Sequence, residues 1–196
     1  MTTIKVKPDF KKNHYETLVA LNNGLLCGVD EVGRGCLAGP VVAVAAILYP
    51  GAKHRLLQDS KELTATQRQQ CYDWLKDHSW YAFGIINPRT IDRINIYRAT
   101  LLAMERAVIQ LYAIAPVLPS MIVVDSMPLT LGFNDTPVIA FNYGESKSRT
   151  IAAASIIAKV TRDHLMEQLQ KATPKYHHAQ HKGYCTPSHR QELLAH

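Results

Sequence analysis

The chain alternates between short apolar runs and longer amphipathic stretches. Leu25 to Val32 is mainly apolar and breaks at Gly33-Arg34-Gly35. Val41 to Leu48 is apolar throughout and β-branched at its start, the pattern of a strand covered on both faces. Thr64 or Thr66 can cap a helix running to about Asp77, and Trp80 to Ile86 reads as a further strand. Asn87-Pro88 then opens a long helix, since proline is tolerated in a first turn, and Pro116 and Pro119 close it. Along that helix Tyr97, Leu101, Met104, Val108, Leu111 and Ala115 recur at three- and four-residue spacing and predict one apolar face. Met121 to Asp125 and Val138 to Phe141 predict two short buried strands, and Ile151 to about Gln170 an Ala-rich helix. Strands alternating with helices predict an α/β fold. No repeat or Gly/Ser linker interrupts the pattern, so a single domain is expected, with a core over about 24–170 and a C-terminal segment over about 171–196.

Composition adds limits. The 196 residues are 47% hydrophobic and 19% charged, enough for a core and far from the makeup of disordered chains. The longest apolar run, Val41 to Tyr49, is about half of the roughly 20 residues needed to cross a bilayer. The opening MTTIKVKPDFKK has no apolar h-region, so a cytoplasmic location is expected. The net charge of +6 fits either general solubility or a polyanion partner. Cys27, Cys36, Cys71 and Cys185 lack the C-x2-C spacing of a zinc site and are expected to be small buried hydrophobes. His177, His178 and His181 have no Cys or paired acid beside them and are expected to form a solvated basic loop.

Candidate chemistry lies where acids interrupt apolar runs. Asp30 and Glu31 close one predicted strand and Asp125 closes another. A carboxylate ending a buried strand is costly unless neutralised, and strand ends in an α/β sheet line the functional crevice. Adjacent strand residues point to opposite faces, so Asp30 and Glu31 can share a site only if the strand's end, just before the glycine turn, relaxes that geometry. Oxygen ligands of this kind suit hard cations such as Mg2+ or Mn2+; the same acids could equally form salt bridges or cap a turn.

Five blocks change the weighing: GVDEVGRGCLAGPVV at Gly28 to Val42, QDSKELT at Gln58 to Thr64, VVDS at Val123 to Ser126, AAASIIAKVTRD at Ala152 to Asp163 and HKGYCT at His181 to Thr186. In this order they closely resemble bacterial ribonuclease HII, the type 2 ribonuclease H, over roughly residues 25–196. The resemblance implies a ribonuclease H-like α/β fold, with a mixed central sheet flanked by helices and a short C-terminal helical segment. It also implies hydrolysis of RNA in RNA/DNA hybrids and nicking 5′ of single ribonucleotides in duplex DNA, leaving 3′-hydroxyl and 5′-phosphate ends, in replication and repair. Asp30, Glu31 and Asp125 would then hold divalent metal, Mg2+ or Mn2+, two ions with substrate bound.

The family's fourth acid is normally Asp in a K-G-D or K-A-D segment. Here the segment is Tyr143-Gly144-Glu145, so Glu145 takes that place and Tyr143 replaces the lysine. Asp163, the competing candidate, falls about three turns into the predicted helix and is expected instead to pair with Lys159 or Arg162. By the same resemblance, backbone groups of Gly33, Arg34 and Gly35 contact the 2′-hydroxyl that marks RNA, although a tight turn alone would also explain the glycines. Tyr184 packs on the deoxyribose at the RNA-to-DNA junction, and Ser60, Lys61 and Lys182 bind phosphates. Lys147, Arg149 and Lys159 are open between extending that surface and forming an ordinary solvated face. A Ser155/His164/Asp163 triad lacks a nucleophile-elbow context. Many bacterial members continue into an H-R-x-S-F segment, whereas this sequence ends at His196, so substrate affinity is expected to be less secure than chemistry. A monomer is expected. A nucleic-acid-binding domain with weakened catalysis is the alternative, motivated by Tyr143, Glu145 and the short C-terminus, and the type 3 ribonuclease H is a nearer one.

Overall fold

The computed structural model describes residues 4–5, 10–58, 60–133 and 135–196. Asp59 of the QDSKELT block lies outside them. The elements follow as β1 (Ile4–Lys5), α1 (His14–Leu21), β2 (Leu26–Val32), β3 (Val41–Leu48), α2 (Ala65–His78), β4 (Ser79–Ile86), α3 (Pro88–Ile94), α4 (Ile96–Ile114), β5 (Met121–Asp125), β6 (Val138–Phe141), α5 (Gly144–Lys147), α6 (Arg149–Ala172), a 3-10 turn (Pro174–Tyr176), α7 (His178–His181) and α8 (Pro187–Ala195). The sheet order is β1-β6-β5-β2-β3-β4. β2, β3 and β4 form an antiparallel meander, while β5 joins β2, β6 joins β5 and β1 joins β6 in parallel. This is the α/β fold that the pattern predicts and the mixed sheet with flanking helices that the resemblance implies.

Alternation along the strands divides two cores. Cys27 and Val29 of β2 and Val41, Ala43, Ala45 and Ile47 of β3 pack with α4 on one face. Val44 and Ala46 turn to the other face, against α2 and α6. Each face has one glycine at which a helix touches the sheet backbone. A Cβ on Gly84 of β4 would sit 1.8 Å from the Ala103 carbonyl oxygen of α4, and one on Gly28 of β2 would sit 2.5 Å from the Ile151 amide nitrogen of α6. Side chains cannot occupy those approaches, so Ala99, Ala103 and Ala107 of α4 and Ala152, Ala153 and Ala154 of α6 fill the contacts.

This close approach corrects the predicted face of the long helix. Tyr97 is exposed and Leu101 only partly buried, because the small-residue stripe faces the sheet beside Met104, Val108 and Leu111. The helix is also two helices. Asn95, at φ 65° and ψ 164°, breaks it, and the Asn95 side chain accepts the Arg98 amide at 3.0 Å to start α4 afresh. β1 and α1 escape the periodicity because each is short and α1 buries only Tyr15 and Val19. At α2, Thr64 is the cap, and Gln67 completes a reciprocal capping box.

Two composition readings are corrected. Cys27 and Cys71 are buried as expected, but Cys36 is half-buried and Cys185 exposed. His178 and His181 are buried rather than solvated, packed around a third buried histidine, His189. Among the described residues no helix is long and apolar enough to cross a membrane.

Candidate active site

β2 and β5 pair in parallel from Leu26 with Met121 to Val29 with Val124, and each carries an acid one residue further on, Asp30 and Asp125. The two carboxylates therefore stand side by side at the carboxyl ends of central parallel strands, where α/β sheets open a crevice. Glu31 follows Asp30 while β2 is still paired with β3 through Val32. The strand end is thus not relaxed as the sequence reading required. Asp30 and Glu31 nevertheless both line one cleft, since pairing on the β5 side stops at Val29.

Glu145 arrives from β6. Tyr143 turns the chain at φ 60°, and the Gly144 amide donates to Asp125 Oδ1 at 3.0 Å. A Cβ on Gly144 would lie 2.7 Å from Ile151 Cδ1 and 3.1 Å from Asp125 Cβ, so a side chain there would displace the Ile151 tip and press on Asp125. Glu145 is 4% exposed. Its Oε2 accepts from Ser155 Oγ at 2.8 Å and from Ser60 Oγ at 3.5 Å, and the Lys61 ammonium lies 2.5 Å from Oε1. The Ser60 loop is itself held by Arg68, which donates to the Ser60 carbonyl at 2.9 Å and also to that of Leu63.

Asp30 is 5% exposed. Burial, then the charges of Glu31, Asp125 and Glu145, push its carboxyl well above the ordinary range, and the nearby Ser155 hydroxyl offsets only part of this. Glu31 is also raised, by burial first, while Arg34 at 3.3 Å pulls the other way. All four donors are carboxylates that repel one another in a partly dry cleft, a set that fits a hard divalent cation. Asp30, Glu31, Asp125 and Glu145 are the residues that could hold one. Two adjoining cavities of about 240 Å³ and 530 Å³ share Lys61 and Asp125.

Gly33, Arg34 and Gly35 wall the first cavity. The two glycines differ in what they explain. Gly33 has φ 108°, and a Cβ there would meet Pro40 O at 2.6 Å, so the turn itself requires it. At Gly35 nothing lies within 4 Å of a Cβ. Tyr184 lines the same cavity, bridged to Cys36, with Lys159 Nζ 5.1 Å from its ring centroid. Lys182 does not line the cleft; its ammonium pairs with Glu167 at 2.6 Å. Lys147 donates to the Phe10 carbonyl at 3.0 Å, and Arg149 lines a separate cavity with Glu16 and Tyr49. Lys159 does reach the carboxylate cleft and pairs with Asp163 at 2.8 Å, one of the two partners expected for Asp163.

Three residues of this region carry no sequence signal strong enough to find them. Ser155 bridges Ser60 and Glu145, yet in the sequence it is one small residue in an Ala-rich run. Arg68 looks like an ordinary helix surface residue. Arg162 is fully buried, and its guanidinium donates to the carbonyls of Pro40 at 2.9 Å, Ala38 at 3.0 Å and Lys182 at 2.7 Å. It fastens the segment after the glycine turn to the segment before Tyr184. The sequence offers Arg162 only as a candidate partner for Asp163, which pairs with Lys159 instead.

Comparison with known proteins gives a consistent picture. The family model for ribonuclease HII matches residues 27–196. A ribonuclease HII of Macrococcus caseolyticus is 44% identical over 173 residues, which is 88% of this chain and 63% of that protein. One from Levilactobacillus brevis is 44% identical over 181 residues, 92% of this chain and 68% of that protein. This chain thus spans somewhat under or about two thirds of these relatives' length. Among solved structures, the ribonuclease H2 of Pyrococcus horikoshii superposes with a TM-score of 0.68 at 30% identity, covering 87% of this chain and 85% of that one. Because the matched stretch takes in all four clustered carboxylates, the glycine turn beside them and the segment carrying Tyr184, this chain belongs to the ribonuclease HII family.

Proposed function

We propose that this chain is a metal-dependent endoribonuclease that hydrolyses the RNA strand of RNA/DNA hybrids and nicks duplex DNA on the 5′ side of a single ribonucleotide, leaving 3′-hydroxyl and 5′-phosphate ends. The observation that carries the reading is the convergence of Asp30, Glu31, Asp125 and Glu145 on one cleft walled by the Gly33-Arg34-Gly35 turn and Tyr184. The names of the relatives support the same activity. In this reading the four carboxylates hold Mg2+ or Mn2+, two ions with substrate bound, and the ions supply an activated water and charge relief at the leaving 3′-oxygen.

The chain's own residues position the substrate. Gly35 lines the cavity with open space where a side chain would stand, so a ribose can approach its bare backbone and bond main-chain groups through its 2′-hydroxyl. Gly33 serves the shape of the turn, and Arg34 holds Glu31 in place. Tyr184 offers a flat face at the cavity wall for the sugar beyond the ribonucleotide. Ser60, Lys61, Arg68 and Lys159 form a polar and basic rim suited to phosphates. Lys182 contributes through its carbonyl, which anchors Arg162, and its phosphate role requires release from Glu167. Lys61 already neutralises Glu145, so ion uptake competes with that pair. The chain works as a single-domain monomer on ribonucleotide-containing DNA in the cytoplasm.

A duplex carrying one ribonucleotide tests the proposal. Cleavage on the 5′ side of the ribonucleotide is expected in Mg2+ or Mn2+, and none in EDTA. Binding without cleavage in either metal would leave a nucleic-acid-binding domain and remove the enzyme reading.

A further inference from the structure

The three buried histidines behind the Tyr184 segment form a second constellation that the nuclease reading does not use. One ring nitrogen from each of His178, His181 and His189 lies within 4.8 Å of one from each of the others. The residues are 5%, 6% and 0% exposed. His178 Nδ1 and His189 Nε2 are buried and have no hydrogen-bond partner. A buried orphan nitrogen is costly, and two of them belong to residues of this cluster.

His189 makes the outer contact of a metal-ligating imidazole, whereas His181 has both ring nitrogens held by protein groups. His189 Nδ1 donates to the Tyr184 carbonyl at 2.9 Å, which leaves Nε2 as a bare lone pair. His181 Nε2 faces the Tyr176 carbonyl at 2.6 Å and a Glu192 carboxylate oxygen at 3.1 Å, and its Nδ1 accepts the Gly183 amide at 3.0 Å. Burial, together with the neighbouring imidazoles His181 and His189, also lowers the His178 pKa, keeping it in the neutral form a metal needs. Zn–N bonds of about 2.0–2.1 Å require the nitrogens to draw together, and His181, stacked on His189 with ring centroids 3.9 Å apart and planes 14° from parallel, has to swing off that ring to aim a lone pair at the same ion.

We propose that His178, His181 and His189 form a structural site for a borderline divalent metal of the Zn2+ class, distinct in chemistry and place from the carboxylate cleft. Three imidazoles suit zinc, which takes nitrogen ligands in tetrahedral geometry; the hard cations favoured by carboxylates do not. The ion would pin α7 to α8 across the intervening Tyr184 segment. It would also compete with the Gly183 amide for His181 Nδ1, coupling its uptake to the residue next to Tyr184.

Co2+ is the spectroscopic probe, since tetrahedral nitrogen coordination gives intense visible bands and octahedral oxygen coordination weak ones. We expect the full chain to bind one equivalent with the intense bands, and Asp30→Asn/Asp125→Asn to keep them. His178→Phe, which retains a ring against Tyr176, is expected to lose them while still unfolding cooperatively. Zn2+ at a hundredfold excess over its Kd should raise the wild-type melting temperature by roughly 5 °C or more. Absence of the bands and of the thermal shift in wild type overturns the site, as do bands unchanged in His178→Phe. If His178→Phe does not fold, imidazole 15N shifts in labelled wild-type protein decide: Zn2+-induced changes at His178, His181 and His189 support the site, and changes elsewhere alone overturn it. None of these readouts depends on nuclease activity, so the site and the proposed cleavage stand or fall separately.

Discussion

At the residue scale, the carboxylate cleft trades stability for chemistry. The folded-state pKa of Asp30 is raised by burial and by three neighbouring acids. A raised acid stabilises the fold below its unfolded-state pKa, and that contribution is lost as pH rises through the folded value; around neutrality the ionised group is a net strain. Asp30→Asn should therefore raise the melting temperature in EDTA at neutral pH by a few degrees while abolishing cleavage in Mg2+. An unchanged or lower melting temperature would show that the neighbouring charges are already relieved. Glu145 and Asp163 separate by the same logic of surroundings. Glu145 is buried among Ser60, Ser155 and Lys61, whereas Asp163 spends its carboxylate on Lys159 within one helix. Glu145→Gln is expected to lower turnover by roughly 100-fold or more, and Asp163→Asn by no more than a few-fold. Single-turnover cleavage of the one-ribonucleotide duplex measures both. Asp30, Asp125 and Glu145 were legible because acids at the ends of apolar runs and an ordered set of motifs announce them. Ser155 and Arg162 were not, since their importance lies in partners 95 and 122 positions away, which no local pattern encodes.

At the scale of elements, strands were easier to find than helix faces. β3, β5 and β6 fall where the apolar runs predict them, because a buried strand needs continuous apolar residues and little else. α4 was harder. Its sheet-facing stripe is set by contact with Gly84 on another element, so alanines share the buried face with Met104, Val108 and Leu111 while Tyr97 and Leu101 fall toward its edge. The break at Asn95 was hidden because an asparagine that caps a helix looks, in sequence, like an asparagine within one. Arg162 shows how one helix fixes two loops at once. Its fork reaches the carbonyls of Ala38, Pro40 and Lys182, which a lysine cannot match. Arg162→Lys should cost about 3 kcal/mol in urea unfolding and weaken cleavage mainly through KM, as the glycine turn and Tyr184 lose their common tether. A change confined to stability, with KM intact, would limit Arg162 to packing.

At the scale of the whole molecule, the net charge of +6 conceals a partition. Four of the 16 acids meet in one cleft, and Arg34, Lys61, Arg68 and Lys159 stand around them. A polyanion sees the basic rim before the acidic centre, a division that composition could not express. The sheet order has a consequence in time as well as space. The meander β2-β3-β4 closes between neighbours in sequence, but Leu26 meets Met121 only after most of the chain is in place. Pairings between distant segments form late, because closing long loops is slow. The pairing that sets Asp30 beside Asp125 is thus expected to close late in folding, and a half-folded chain would carry no assembled carboxylate cluster.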